Sequence, residues 1–249
     1  MRMLRSRPPL VLLHGWAMSP AVWAELGNLI CSTQIITPAL PGHAARLSPF
    51  AGGLDAWVDA IAEQIPDGAV LGGWSLGAIL ALEIARRHPH KASRLLLIGA
   101  TPCFVARADW PWGLAAETVA AFREGFAASP AATLKRFLAL QGLGDSQRRT
   151  LQGRLTECLS PAAARGDEAL ADGLRLLESS DLRAGLGDID LPCCLLHGMH
   201  DALMPIEAAR ALAVVLPHAR LHEIADCGHA PFLSRPRVCA RLIEDFLDD

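Results

Sequence analysis

The stretch LGGWSLGAILALEIARRHP, Leu71–Pro89, holds a serine between two glycines at the spacing G-x-S-x-G. The apolar run GAVLGG leads into it, and apolar residues at helical spacing follow it as far as the proline. A strand, a tight turn and a helix in this order form a nucleophile elbow, in which glycines stand where side chains would clash. The stretch therefore predicts that Ser75 is a nucleophile at the turn, with an ordinary polar turn residue as the alternative.

The rest of the chain alternates strands with helices. Six apolar runs predict strands: PLVLLHG, TQIITPAL, GAVLGGWS, ASRLLLIGATP, DLPCCLLHGMHD and ARLHEIADCGHA. Helical patterns include LDAWVDAIAEQI, the segment after Ser75 and the closing RPRVCARLIEDFLDD. Such alternation is typical of a mostly parallel sheet with helices on both faces. We therefore predict an α/β fold.

A long helical insertion interrupts this alternation between the strand near Leu97 and the strand near Leu195. It contains the patterns AAETVAAFREGFAAS, PAATLKRFLALQGLG, DSQRRTLQGRLTECL and RGDEALADGLRLLESSDL. Long insertions between the strands of a compact domain are usually functional, and active-site lids are among them. We therefore assign residues 1–108 and 186–249 to a core and residues 109–185 to a helical cap inserted in it.

Composition excludes several classes of function. Hydrophobic residues make up 51% and charged residues 20%, as in a packed globular protein. A net charge of -3 is not that of a general nucleic-acid binder. No apolar run reaches the roughly 18 residues needed to cross a bilayer, and the first one is too short for a signal peptide. The seven cysteines have no metal-type spacing and are typical of reduced thiols. We expect a cytoplasmic monomer with no metal, cofactor, nucleic-acid or membrane partner.

A serine nucleophile needs a base, and position selects one among the nine histidines. In folds with this elbow, the acid and the histidine follow the serine in loops after later strands. LLHGMHDALMP places Asp201 after the fifth predicted strand, and EIADCGHAPF places His229 after the sixth. The predicted catalytic triad is Ser75, Asp201 and His229. Asp226 is the rival acid but is too close in sequence to orient that imidazole, and His197 and His200 are weaker candidates.

Two backbone N–H groups are expected to bind the oxyanion that develops on the substrate. One belongs to Leu76, directly after the nucleophile, and the other to Trp16, in the loop after the first predicted strand. His14 in the same loop is expected to order it. The side chains of Trp16 and Trp74 are candidates for the walls of an acyl pocket, with core packing as an equal alternative.

Motifs spread in order over nearly the full chain resemble those of the α/β-hydrolase superfamily: LVLLHGW, LPGH, GWSLGA, HGMHD and GHAPF. LLHGWAMSPAVW, TPCFVARADWP and especially RFLALQGLG resemble more closely the pimeloyl-acyl-carrier-protein methyl ester esterase family of biotin synthesis. The last of these lies in the predicted cap, where unrelated hydrolases diverge. The resemblance implies a serine carboxylesterase that cleaves a carrier-bound methyl ester through an acyl-enzyme on Ser75, with the triad chosen above.

The predicted cap sorts its charge along the sequence. Residues 131–154 contain five basic residues and one carboxylate, whereas residues 165–190 contain three arginines and seven carboxylates. Acyl carrier proteins are acidic, so a docking surface for one is expected to be basic, with ordinary solvated helix faces as the alternative. The predicted docking residues are Lys135, Arg136, Arg148, Arg149 and Arg154.

An apolar slot for the acyl chain is expected beneath the cap, although core packing is the alternative for each side chain. Its candidate lining residues are Phe104, Trp110, Trp112, Phe122, Phe126, Phe137 and Leu140. Of these, Phe104 and Phe137 are predicted to contact substrate together with Trp16 and Trp74.

The identity of the nucleophile separates some of the other functions found on this fold. Haloalkane dehalogenases and epoxide hydrolases need a carboxylate where this chain has Ser75. A broad short-chain carboxylesterase, a lactonase or a carbon–carbon bond hydrolase would use the same triad, so the triad does not exclude them. A non-catalytic binding protein on this scaffold would not require all three triad residues.

Overall fold

A sheet of six parallel strands forms the centre of the protein, for which a computed structural model describes residues 7–43, 52–165 and 168–249. The strands are β1 (Leu10–Leu13), β2 (Ile35–Ile36), β3 (Ala69–Trp74), β4 (Ala92–Ile98), β5 (Cys193–Gly198) and β6 (Ala219–Ile224). Their order is β2-β1-β3-β4-β5-β6, and every neighbouring pair is parallel. The six predicted strands and the α/β fold are confirmed.

Helices cover both faces of this sheet, which is why β1, β3 and β5 are buried along their whole length. α3 (Leu76–Arg87) packs on β1, β3 and β4, and α2 (Leu54–Ala62) packs on α3. α1 (Ala24–Leu29) packs on α11 (Pro236–Asp248), and α11 contacts β5. α9 (Ile206–Val215) follows β5 and packs on β5 and β6.

The strand order reverses between β1 and β3, since the chain passes from β1 to β2 on one side and continues from β3 on the other. In open parallel sheets, ligands bind beyond the carboxyl ends of the strands at such a switch point. β1 ends at Leu13, just before the loop of Trp16, and β3 ends at Trp74, just before Ser75. The topology therefore brings the predicted oxyanion loop and the predicted nucleophile to one edge of the sheet.

In the part of the chain that the structure describes, five α-helices lie between β4 and β5. They are α4 (Ala116–Ala128), α5 (Pro130–Gln141), α6 (Arg148–Glu157), α7 (Pro161–Arg165) and α8 (Glu168–Ser179). Their buried apolar residues, Val119 excepted, belong to the same hydrophobic cluster as the residues around the sheet. The boundaries of core (1–108 and 186–249) and cap (109–185) stay a prediction.

Four of the helices were not predicted from the sequence. α1, α7 and α10 (Pro231–Ser234) have six residues or fewer, too few for a helical period to show. α9 is longer, and its buried Ile206, Ala209 and Leu212 at helical spacing were a usable signal. Within the described residues, no helix is long and apolar enough to cross a bilayer, and no three His, Cys, Asp or Glu side chains group as metal ligands would.

Candidate active site

Ser75 lies between β3 and α3 in a strained backbone conformation. Its φ of 58° and ψ of −119° fall in a region that L-residues rarely adopt. Its N–H donates to the carbonyl of Ile98 at the end of β4 (3.0 Å), and its carbonyl accepts from the N–H of Ala78 in α3 (2.9 Å). Strain of this kind costs on the order of 1–3 kcal/mol and persists where surrounding structure imposes it. The turn has the geometry of a nucleophile elbow.

The two glycines of G-x-S-x-G let three backbone segments approach closely. A Cβ on Gly73 would overlap the carbonyl of Gly77, and a Cβ on Gly77 would overlap the carbonyl of Leu13 at the end of β1. In the loop after β1, a Cβ on Gly15 would lie 3.4 Å from the Cβ of Ser75. The elbow therefore holds Ser75 directly against this loop.

His229 and Asp201 form a buried hydrogen-bonded pair. Nδ1 of His229 lies 2.7 Å from Oδ2 of Asp201, and the backbone N–H groups of Leu203 and Met204 each donate to Oδ1 at 2.9 Å. Burial by itself raises the pKa of Asp201, but the charge and hydrogen bond of His229 bring that pKa below its ordinary value. The ionised carboxylate thus fixes the proton of the imidazole on Nδ1 and leaves Nε2 as the basic atom.

The imidazole of His229 lies beside the strand ends that hold Ser75. The indole N–H of Trp74 donates to the carbonyl of His229 at 2.8 Å. A Cβ on Gly99, the residue after Ile98, would lie 3.1 Å from Nδ1 of His229 and 3.2 Å from its Cε1. Nε2 is buried and has no hydrogen-bond partner among the described residues. The structure therefore pairs His229 with Asp201 beside the strand ends that lead to Ser75, with no hydrogen bond between Ser75 and His229, and leaves the basic nitrogen available.

A second buried histidine, His197, touches the acid. Its Nε2–H donates to the carbonyl of Met204 at 2.7 Å and lies 3.4 Å from Oδ2 of Asp201. Burial lowers the pKa of His197, which favours its neutral form. The rival acid Asp226 and the flanking His200 are both exposed. The position of His197 four residues before Asp201, at the end of a strand, was the sequence signal for this contact.

The predicted oxyanion donors stand at the edge of the elbow. Leu76 is the first residue of α3, where the helix itself provides no acceptor for the N–H group. The N–H of Trp16 makes no hydrogen bond to a described residue. A negatively charged oxygen at this position would also meet the positive end of the α3 dipole.

Two buried histidines brace the loop of Trp16. Nδ1–H of His14 donates to the carbonyl of Gly15 (2.9 Å), and its Nε2 accepts from the N–H of Leu40 (3.0 Å). Nε2 of His43 accepts from the N–H of Ala17 (3.1 Å), and its Nδ1–H donates within its own loop (2.9 Å). Burial lowers the pKa of His14 to about 3 and that of His43 to about 4. Sequence reasoning expected the ordering role of His14 and missed His43.

A narrow apolar cavity of about 60 Å³ lies between helices α4, α5 and α8 and the segments that follow β4 and β5. Four of the expected slot residues line it. The lining residues are Phe104, Leu114, Thr118, Val119, Phe122, Phe137, Leu140, Leu174, Leu177 and Leu203. Such a cavity suits a methylene chain and offers no group for a charged one.

Neither of the two predicted tryptophan walls lines this cavity, although Trp16 packs on its lining residues Phe122 and Phe137. The indole N–H of Trp16 donates to the carbonyl of Leu170 in α8 at 2.7 Å. A Cβ on Gly173, one turn further along α8, would lie 2.7 Å from Cδ1 of Trp16. Trp74 packs on His229, with ring centroids 5.5 Å apart. Their side chains therefore position the oxyanion loop and the histidine.

Three expected slot residues lie elsewhere. Phe126 packs edge-on against Trp16, with ring centroids 5.4 Å apart. Trp110 packs with Cys103 in a separate small cluster, and its ring contacts that of Trp112. Trp110 and Trp112 line a wider open groove beside α9, away from the triad. The aromatic character of these three side chains did not indicate whether they would face the cavity or another surface.

Four of the five predicted docking residues are exposed. Lys135 and Arg136 lie on α5, Arg148 and Arg149 begin α6, and none of the four forms an ion pair with a described residue. Arg154 differs, because its Nη1 binds Oε2 of Glu25 (2.6 Å) and the carbonyl of Leu233 (2.5 Å). Arg154 therefore ties α6 to the core, and we remove it from the docking surface.

Comparison with known proteins gives the family. A model described as "Alpha/beta hydrolase family" matches residues 10–242. The chain belongs to the α/β-hydrolase family. This hydrolase is 53% identical to the pimeloyl-[acyl-carrier protein] methyl ester esterase of Aromatoleum aromaticum, over 96% of this chain and 98% of that protein. It is 40% identical to the protein of the same name from Nitrosomonas europaea, over 92% of this chain and 91% of that one. The resemblance found in the sequence motifs is confirmed.

Solved structures of lower identity share the fold of the hydrolase. An esterase from Exiguobacterium antarcticum superimposes with a TM-score of 0.87 at 23% identity, over 98% of this chain and 93% of that one. A bromoperoxidase from Bacillus anthracis gives a TM-score of 0.86 at 21% identity, over 98% of this chain and 92% of that one. At such identities the likeness concerns the fold alone.

Gly77→Ala is expected to destabilise the hydrolase by about 1–3 kcal/mol or more, because its Cβ would overlap the backbone of β1. Gly153→Ala in α6 is the matched control, since nothing lies within 4 Å of its Cβ and alanine favours a helix interior by about 0.5–1 kcal/mol. Urea unfolding of both variants measures the difference. A Gly77→Ala protein as stable as the wild type would contradict the close approach of α3 to β1.

Acidification is expected to lower the free energy of unfolding through His14 and His43. The unfolded chain binds protons at these residues as the pH falls below about 6.5, whereas the folded chain does not until about 3 and about 4. Each of these histidines therefore lowers the free energy of unfolding by up to about 1.4 kcal/mol per pH unit as the pH falls through that window. His43→Gln should make the pH dependence shallower by up to one proton. Urea unfolding of the wild type and this variant from pH 7 to 5 tests this, and equal slopes for the two proteins would contradict it.

Proposed function

We propose that this hydrolase cleaves the methyl ester of a pimeloyl chain carried on an acyl carrier protein, in biotin synthesis. The observation that carries the proposal is the buried Asp201–His229 pair beside Ser75, in a chain 53% identical to a curated esterase of that name. The products are methanol and a carrier-bound chain with a free terminal carboxyl group. We expect the protein to act as a cytoplasmic monomer without a cofactor.

Acylation begins at the oxygen of Ser75. Nε2 of His229 takes the hydroxyl proton as Oγ attacks the ester carbonyl, and a tetrahedral oxyanion forms. The N–H groups of Trp16 and Leu76 donate to this oxyanion at the N-terminus of α3. The tetrahedral intermediate then collapses: the bond to the methoxy oxygen breaks, His229 returns the proton to it, and methanol leaves. Ser75 retains the acyl chain as an ester.

Deacylation repeats these steps with water as the nucleophile. His229 takes a proton from water as its oxygen attacks the acyl carbonyl, and the same two N–H groups bind the second oxyanion. When this intermediate collapses, the bond from the acyl carbon to Oγ of Ser75 breaks, His229 gives its proton to Oγ, and the carboxylic acid is released. Asp201 stabilises the imidazolium in both halves, and its two backbone donors keep the carboxylate in place.

The cavity beneath the cap supports an acyl substrate with a methylene segment. Its lining side chains are apolar apart from Thr118, and Phe104 and Phe137 are the aromatic contacts expected from the sequence. Burying each methylene there contributes about 0.8 kcal/mol of binding. We propose that Phe104 and Phe137 hold the chain while Trp16 and Trp74 hold the catalytic groups.

The exposed cations of α5 and α6 support a carrier protein as the source of the acyl chain. Lys135, Arg136, Arg148 and Arg149 carry four positive charges on a chain whose net charge is -3. An acidic partner would be steered toward this face, with a strong dependence on ionic strength. A free short-chain ester would gain nothing from these residues, which distinguishes the proposed substrate from that of a general carboxylesterase.

Ser75→Ala and His229→Ala are each expected to lower kcat for p-nitrophenyl acetate by several orders of magnitude without unfolding the protein. Because the triad acts as a unit, the double variant should be little worse than either single one. Steady-state kinetics with circular dichroism as the folding check provides the measurement. Residual activity of Ser75→Ala above about a tenth of wild type would show another nucleophile at work.

Arg148→Glu/Arg149→Glu is expected to raise KM for methyl pimeloyl-carrier protein by about tenfold or more at low salt, and less at high salt. KM and kcat for p-nitrophenyl acetate should hardly change. The matched control is Arg237→Glu/Arg241→Glu on exposed α11 positions, which changes the net charge equally. Equal effects of the two double variants, or equal losses on both substrates, would contradict the proposed docking of a carrier protein. The protein would then be a general carboxylesterase or lactonase.

A further inference from the structure

The segment that joins α5 to α6 forms a clamp on the loop of His229. The backbone N–H of His229 donates to the carbonyl of Gln141 at 3.0 Å. The N–H of Gly228 donates to Oδ2 of Asp145 at 3.1 Å. In the opposite direction, the N–H of Ser146 donates to the carbonyl of Asp226 at 3.1 Å. Three successive contacts therefore tie residues 226–229 to the cap.

The same segment is in direct contact with two loops, the one that carries His229 and the one that carries Asp201. A Cβ on Gly228 would lie 2.6 Å from the carbonyl of Gln141, so the two backbones are in direct contact. A Cβ on Gly144 would lie 2.6 Å from the Cβ of His200, the residue before Asp201. The clamp therefore touches the chain immediately before the base and immediately before the acid.

Asp145 contributes the side-chain hydrogen bonds of this clamp. It is buried, with 6% of its surface exposed, and both carboxylate oxygens accept backbone N–H groups. Oδ1 accepts from Gln147 at 2.7 Å, directly before α6, and Oδ2 accepts from Gly228. Its backbone carbonyl accepts from Arg148 at 3.2 Å, the first residue of α6. A single carboxylate thus joins the start of α6 to the residue that precedes His229.

We propose that Asp145 is a positioning residue: its carboxylate holds the loop of His229 at the distance from Ser75 and Asp201 that proton transfer requires. This inference rests on the proposed role of His229 as the base. Charge-assisted hydrogen bonds from backbone N–H groups are stronger than neutral ones, and they fix a loop that otherwise has few internal bonds. A shift of about 1 Å at the base can cost 10²-fold in rate.

Asp145→Ser tests the contact with Gly228 alone. A serine hydroxyl can still accept from the N–H two residues ahead and so retain the bond at the start of α6, but it does not reach Gly228. We expect kcat for p-nitrophenyl acetate to fall about tenfold with little change in KM. Asp145→Asn, which offers one acceptor to two N–H donors, should lose kcat in the same direction. Either variant suffices if the other fails to fold.

A spectroscopic readout separates positioning from stability. A proton held on Nδ1 between His229 and Asp201 at 2.7 Å is expected to give a downfield proton NMR signal, and we expect this signal to shift or broaden in Asp145→Ser. Ser93→Ala is the matched control, because its hydroxyl donates to the carbonyl of Ala69 at 3.1 Å, at the opposite end of β3 from Ser75. It should lower Tm and leave kcat and the NMR signal unchanged.

The outcomes distinguish this inference from the function on which it rests. A lower Tm with wild-type kcat and an unchanged NMR signal in Asp145→Ser would overturn the positioning role. Ser75→Ala in the same assay tests the proposed chemistry independently. If Ser75→Ala retains activity, the proposed function fails; if Ser75→Ala is inactive and Asp145→Ser is normal, the positioning role alone fails.

Discussion

The close approach of three backbones at the elbow is the constraint on which the rest of the site depends. Gly73, Gly77 and the end of β1 leave no space for a Cβ, and this contact forces Ser75 into its φ of 58°. One strained residue thereby presents its hydroxyl beyond the sheet edge while the first turn of α3 presents N–H groups to the same point. Without this contact the sheet would have the same strands, but the hydroxyl of Ser75 and the N–H groups of α3 would not meet at one point.

Four buried histidines surround this point, and their hydrogen bonds give each a different role. His14 and His43 accept backbone N–H groups at Nε2 and therefore brace the oxyanion loop as neutral rings. His197 donates to a carbonyl and lies against Asp201. His229 alone combines a carboxylate at Nδ1 with a free Nε2. The carboxylate, rather than the imidazole itself, decides which of the four can act as a base.

The predicted cap segment is bonded to the candidate site on two sides. Its helix α8 receives the indole N–H of Trp16, and its α5–α6 segment accepts the N–H groups of Gly228 and His229. The oxyanion loop and the histidine loop are thus each bonded to the cap. A change in the position of these helices would therefore reach the loops of Trp16 and His229 through these bonds.

The sequence by itself determined the six strands, the elbow at Ser75 and the order in which Asp201 and His229 follow it. These features depend on short local patterns: apolar runs, glycine spacing and the placement of polar residues just after strands. Tertiary structure decided the rest. Arg154 looked like a docking cation until the fold brought it to Glu25. Phe126 and Trp110 looked like slot residues, but helix α4 turns Phe126 toward Trp16 and the segment before α4 packs Trp110 against Cys103. His43 and Asp145 bond to backbone groups far away in the chain, and no local pattern encodes which distant N–H group a buried side chain will meet.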